Sequence, residues 1–196
     1  MSSSGAGAIS GSPAVQQDAG IDDATFTQFG EMNWAELVAM ADKTVAGGTI
    51  NNTLPVVTGG VCNRMVSTNW GDPDNPAAPC GEYFPIIHVT GDLTIQSGGV
   101  GQGVLLVEGS LDLRGGFTFH GIIIVQNSFE TQGNGNRVLG GVMAGNADFS
   151  DQTLVGGSVV QNSTCAVKRA LINNEALYRP RQLPQRGWVD LSAIGG

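Results

Sequence analysis

Between Ile86 and Val167 the chain repeats on a strict count of six residues. Numbered from Ile87, the first hexad position carries Ile87, Leu93, Leu105, Leu111, Phe117 and Ile123, and the third carries Val89, Ile95, Val107, Leu113, Phe119 and Val125. Successive side chains of a strand point to opposite faces, so these two positions share one face. The fifth position reads Gly91, Ser97, Gly103, Gly109, Gly115, Gly121, Asn127 and Gly133, and Leu139 is its exception. Such residues tolerate a corner. Three sides close a triangle of about 18 residues, and the strands GDLTI, GSLDL, NSFET and GNADF recur at that spacing. The expected fold is therefore mainly β, a single-domain parallel β-helix of about four and a half turns stacked roughly 4.8 Å apart.

The flanks read differently. Residues 1–17 have the composition of a flexible lead-in, and 18–196 form one domain. Within it, 18–48 is a helical docking segment, 49–85 a disulfide loop region, 86–164 the ladder, and 165–196 a C-terminal helix and tail. Asn33 and Glu36 have the spacing of a capping box, and Trp34, Leu37, Val38 and Ala41 make one apolar stripe. Gly47 and Gly48 are expected to end that helix, and Phe26 and Phe29 add area to bury. The first side of the triangle is apolar outward as well as inward: Ile86, His88, Val104, Leu106, Ile122, Ile124, Val142 and Val160 point out. A ribbon of that kind needs a cover, and the Trp34 helix is the first candidate, before the C-terminal helix. That helix, Cys165 to Leu177, is expected to cap the open end of the coil, with Trp188 anchoring the tail.

Charged residues are 13% of the chain and the net charge is −8, which argues against a nucleic-acid surface. The basic residues near the C-terminus, Lys168, Arg169, Arg179, Arg181 and Arg186, read as a solvated cap. No run of about 18 apolar residues exists, so no membrane span is expected within this chain. Cys62 and Cys80 bracket a loop rich in Pro, Asn and Asp. A disulfide between them would hold it by about 3 kcal/mol and would imply an oxidising compartment. Cys165 falls on an inward position and is expected to be a buried, inert thiol. The only cofactor suggested is calcium at Asp72, Asp74 and Asn75, without the alternating ligands and closing Glu of an EF-hand.

Two groups of outward residues are candidates for function. On the second side Thr94, Asp112, Glu130 and Asp148 follow one another on successive turns, so three acids stand about 5 Å apart and repel one another. This ladder could hold a divalent ion, or supply the carboxylate pair of a glycosidase; a solvated acidic face is the plainer reading. On the third side, glycine-rich stretches containing Gly98 and Gly99, and Asn134, Asn136 and Arg137, replace apolar inward residues and are expected to swing out as contact loops. His88 and His120 lie on different sides and form no catalytic pair. No catalytic residue is assigned.

The stretches WGDPDNPAAPC, GQGVLLVEGSLDL, FTFHGIIIV, NSTCAVKRAL and RGWVDL resemble the C-terminal β-helix region of bacterial PilX-like envelope proteins, grouped with type IV pilus assembly. The resemblance implies an extracytoplasmic, non-enzymatic domain, anchored through a pilin-like segment outside this chain, with protein partners in the envelope or pilus. Hexapeptide acyltransferases share the count of six, but here Gly follows the apolar residue by two positions, as in Val89-Thr90-Gly91. Bactofilin-like proteins also stack Gly-cornered turns, but the flanking helices here oppose end-to-end growth. The expected function is a structural or interaction module of the bacterial cell surface. Its rival is a domain that binds or cleaves surface polysaccharide with Asp112, Glu130 and Asp148.

Overall fold

A computed structural model describes residues 28–29, 32–146 and 157–178. In chain order the elements are β1 (Gln28–Phe29), β2 (Met32–Asn33), α1 (Trp34–Ala39), β3 (Lys43–Ile50), β4 (Val57–Thr58) and β5 (Val61–Cys62), then β6 (Ile86–Ile95), β7 (Gly99–Val107), β8 (Leu111–Arg114), β9 (Phe117–Gln132), β10 (Arg137–Asn146), β11 (Val159–Asn162) and α2 (Thr164–Ile172). Parallel pairing joins β3 to β6, β6 to β7 and β8, these two to β9, and β9 to β10 and β11 in turn. Ile87 pairs with Leu105, and Leu105 with Ile123, a step of 18 residues per turn. The result is the expected parallel β-solenoid, about four turns long. Its column holds Ile87, Leu105 and Ile123 on the first side, Leu93, Leu111 and Phe129 on the second, and Phe117 and Phe119 on the third.

The coil starts earlier than the hexads do. Lys43 pairs with Ile87 and Val45 with Val89, so β3 is an opening turn, and Gly47 and Gly48 form its corner rather than the end of a helix. α1 stops at Ala39, because the residues after it gain more from pairing with β6 than from further helical turns. The expected capping box is present: the Asn33 side chain accepts from Glu36 N at 3.0 Å, and Asn33 N donates to Glu36 Oε2 at 2.9 Å.

The strict count of six fails in the later turns: β10 is offset by one residue against β9 until Asn146, which pairs with Ser128, and Arg137 pairs with Val159, a longer step again. Val138, not Arg137, pairs with Phe119, and Gly140 with Gly121, so the turn from β9 to β10 is longer by one residue there. The slip reverses Val142 and Met143: Val142 packs on the inner column, whereas Met143 joins the outward cluster. Leu139 is thereby explained, since the corner residue is Gly140. Val160, paired with Val138, also packs inward rather than outward. The remaining outward apolar residues, Ile86, Val104, Leu106, Ile122 and Ile124, are covered by Leu37, Trp34 and Val38 of α1 and by Ala176 and Leu177 after α2. Both candidate covers are used.

α2 begins at the last described turn, where Ser163 N donates to Gly140 O, and packs on β9, β10 and β7. The turn after it reaches the opening of the coil: Asn174 Nδ2 donates to Phe84 O at 2.9 Å and to Asp42 Oδ2 at 3.1 Å. The C-terminal segment thus ties the last turn to the first. Cys165 is exposed on α2 and is not an inward ladder residue, because Ser163 caps a helix there instead of continuing the strand. The lead-in 1–17, Phe26, Arg179, Arg181, Arg186 and Trp188 lie outside the described residues.

Candidate functional site

The acidic side forms in register as far as it is described. Asp112 pairs with Thr94 on one side and Glu130 on the other; Asp148 lies outside the described residues. Asp112 is partly neutralised within its own strand. Arg114, two residues on and hence on the same face, places Nη2 at 2.6 Å and Nε at 2.7 Å from Asp112 Oδ2, and Gln132 Nε2 lies at 3.3 Å. Glu130 is exposed beside this group. The ladder lies on the flank of the coil, and the repulsion expected from stacked acids is offset by Arg114.

The glycine-rich stretches do not behave as one class. Gly99 lies in β7, paired with Phe117, so Gly99–Gly101 is wall and not an outlying loop, while Gly98 precedes the strand. The space left by these glycines is filled from outside the repeat: Thr53 lies against Gly99, and beside Gly101 stands Trp70, which is 0% exposed and meets Phe117 edge-on, with ring centroids 6.1 Å apart. A Cβ on Gly101 would come within 3.2 Å of Trp70 Cβ and 3.0 Å of the Phe119 ring. Asn136 likewise does not swing out. It is buried, accepts from Gly116 N and Phe117 N at 3.1 Å, and donates to Leu113 O and Gln132 O at 3.0 Å. A polar side chain satisfied on all sides makes a rigid corner. Asn134 and Arg137 are exposed.

The loop before β6 is pinned where it meets the coil. The Cys62–Cys80 disulfide is formed. Gln102, 1% exposed, donates Nε2 to Gly81 O at 2.9 Å and Tyr83 O at 3.0 Å. Asn69 Nδ2 donates to Asn63 O at 2.8 Å and Val56 O at 3.1 Å. Lys43 is buried and donates Nζ to Arg64 O and, at 2.8 Å, to Val66 O. Desolvation lowers its pKa, with Asp42 opposing. Asp72 Oδ1 accepts from Asn75 N and Nδ2 at 3.1 Å, a local turn that already engages two of the three suggested calcium ligands. Among the described residues no group of three or more His, Cys, Asp or Glu side chains is arranged to hold a metal ion.

Four large apolar side chains of this loop are exposed. Leu54 is 52% exposed, Val57 45%, Val61 68% and Met65 92%, half of the large exposed hydrophobic side chains among the described residues. Val57 and Val61 belong to the antiparallel β4–β5 ribbon, whose turn residues Gly59 and Gly60 have φ of 58° and 81°. The signal Val-Thr-Gly-Gly-Val was legible as a two-residue hairpin. Its exposure was not, because the same residues would serve equally as the inner face of a strand.

His120 lies on the third side, paired with Gln102, under α2. It borders a cavity of about 140 Å³ with Phe84, Gln102, Leu139, Ser163, Cys165, Ala166 and Arg169. Burial pushes its pKa below the usual 6.5; Asp74 opposes this, and Arg137 and Arg169 add to it. Below about pH 6.5 the unfolded chain therefore binds this proton more readily than the folded one. Stability from this group is present above the unfolded pKa and is lost as pH falls through the folded one. Urea midpoints are expected to drop from pH 7.5 to pH 5, with a shallower slope in His120→Gln. Equal slopes in the two proteins would refute this.

No helix among the described residues is long and apolar enough to cross a membrane. The disulfide is compatible with an extracellular location. Comparison with known family models, curated proteins and solved structures finds no match.

Proposed function

We propose that this chain is a non-catalytic interaction module of the bacterial cell envelope, of the kind that accompanies type IV pili, and that it binds a protein partner through the ribbon at its opening end. The observation that carries this reading is the apolar group Leu54, Val57, Val61 and Met65, exposed on a loop that a disulfide, Lys43 and Gln102 fasten to the coil. An exposed apolar patch rimmed by polar residues is a recurrent mark of a protein interface. Its rigidity reduces the ordering cost of binding. The formed disulfide supports an extracytoplasmic setting. The polysaccharide reading of Asp112 and Glu130 has less behind it, since Arg114 occupies Asp112.

The test is a photo-crosslinking residue at position 65 in the native bacterium, combined with protease accessibility on intact cells. The expected result is a crosslink to a pilus subunit or another envelope protein, abolished by Val61→Asp. Crosslinks only to cytoplasmic proteins, or crosslinks unaffected by Val61→Asp, would overturn the proposal.

A further inference from the structure

A polar cleft of about 520 Å³ opens where the loop, the first turn and the C-terminal segment meet. Asp42, Arg64, Glu82, Tyr83, Asn173 and Glu175 line it. Carboxylates alone would not make a site here, since Glu82 and Glu175 are simply exposed. Tyr83 is the second observation. It is 6% exposed, yet Asp112 Oδ1 is the sole side-chain N or O atom among the described residues that is both buried and without a partner. The Tyr83 hydroxyl, which has no hydrogen-bond partner among them either, must therefore reach open space, and the space beside it is this cleft. A phenol buried along its ring with only its hydroxyl exposed is a positioned donor.

The charges narrow the ligand class. Lys43 Nζ and the Arg64 guanidinium stand 5.5 Å and 5.0 Å from the Tyr83 ring centroid. They offset two of the three carboxylates of Asp42, Glu82 and Glu175, leaving a weak negative field rather than a strong cation trap. Asp42 Oδ2 is engaged by Ile86 N at 2.7 Å and by Asn174, while Oδ1 takes no part in these bonds. What remains is a wall rich in acceptors with three donors, Tyr83 Oη, Arg64 and the Asn173 amide. Burial, then Asp42, raises the tyrosine pKa to about 12, with Arg64 opposing, so the hydroxyl keeps its proton at physiological pH. A ligand complementary to this wall donates many hydrogen bonds, accepts a few, carries no net negative charge and fits a few hundred Å³.

We propose that the cleft between Tyr83, Glu82 and Glu175 is a binding site for a neutral saccharide, whose hydroxyls donate to the carboxylates and accept from Tyr83 and Arg64. This site is separate from the apolar ribbon and stands whether or not the ribbon binds a protein.

The experiment is a titration of the isotopically labelled full chain, followed by amide shifts, with galactose and chitobiose as neutral probes, glucuronate as anionic probe and lysine amide as cationic probe. Neutral sugars are expected to shift the amides of Arg64, Glu82, Tyr83 and Glu175, and glucuronate to bind more weakly. Tyr83→Phe removes an unpartnered hydroxyl and should leave the fold intact, while lowering sugar affinity about fivefold. Glu175→Gln should weaken binding similarly, and Val61→Asp should leave it unchanged. The assignment is overturned if neither sugar shifts these amides, if lysine amide alone does so, or if Tyr83→Phe binds like the wild type.

Discussion

Replacing Trp70 by alanine is expected to lower the unfolding free energy by about 3–5 kcal/mol, the range for removing a large buried aromatic side chain. The side chain is 0% exposed and stands in the inner column over Phe117, where the repeat supplies only Gly101. Without it Gly101 leaves a void that the backbone hydrogen bond from Gln102 N to Trp70 O, 2.8 Å, prevents from collapsing. The measurement is equilibrium urea unfolding, with Trp34→Ala as comparison. Trp34 is only partly buried in the outer cluster and should lose clearly less. Equal losses would show that Trp70 is an ornament of the loop and that the third side is filled by other means.

The second large effect is expected at Gly121. It has φ of 145°, a conformation L side chains rarely adopt, and lies between Gly103 and Gly140 on successive turns. A Cβ there would overlap Gly103 O and stand 3.0 Å from Gly103 C and 3.1 Å from its N, all backbone inside the sheet. No side chain can move aside to relieve this. Gly121→Ala should therefore cost more than about 4 kcal/mol or prevent folding altogether. Gly59→Ala is the control: its φ is 58°, but nothing lies within 4 Å of the added Cβ, so only local strain of about 1 kcal/mol is expected. If Gly121→Ala unfolds at the wild-type midpoint, the corner stack is not a tight contact.

These two residues show how much of the molecule could be read beforehand. Gly121 belongs to the periodic set, and its role as a corner followed from the count of six. Trp70 lies in an irregular loop, where nothing local distinguishes a core plug from a surface aromatic. A faint signal existed in the glycines at inward positions 99 and 101, since a column that lacks side chains must be filled from elsewhere. The candidate sites divide in the same way. Asp112 and Glu130 came out in register because strand pairing preserves periodicity, but Arg114 as partner of Asp112 required the alternation to be followed across charges. The polar cleft assembles residues from positions 42, 64, 82 and 175, and no spacing rule relates them.

The amino-acid sequence by itself determined the 18-residue turn, the apolar column, the glycine corners, the Asn33 capping box and the Cys62–Cys80 pairing, because each depends on neighbours at short or repeating separation. Tertiary structure decided the opening turn by β3, the one-residue slip after Gly133, the burial of Trp70, Lys43 and Asn136, and the tie from Asn174 to Phe84. The physical reason is that a stacked coil propagates its register from turn to turn, whereas its open end and longer turn must be completed by distant residues. Those residues are selected by volume and by unpaired backbone groups, which exist only once the coil has formed.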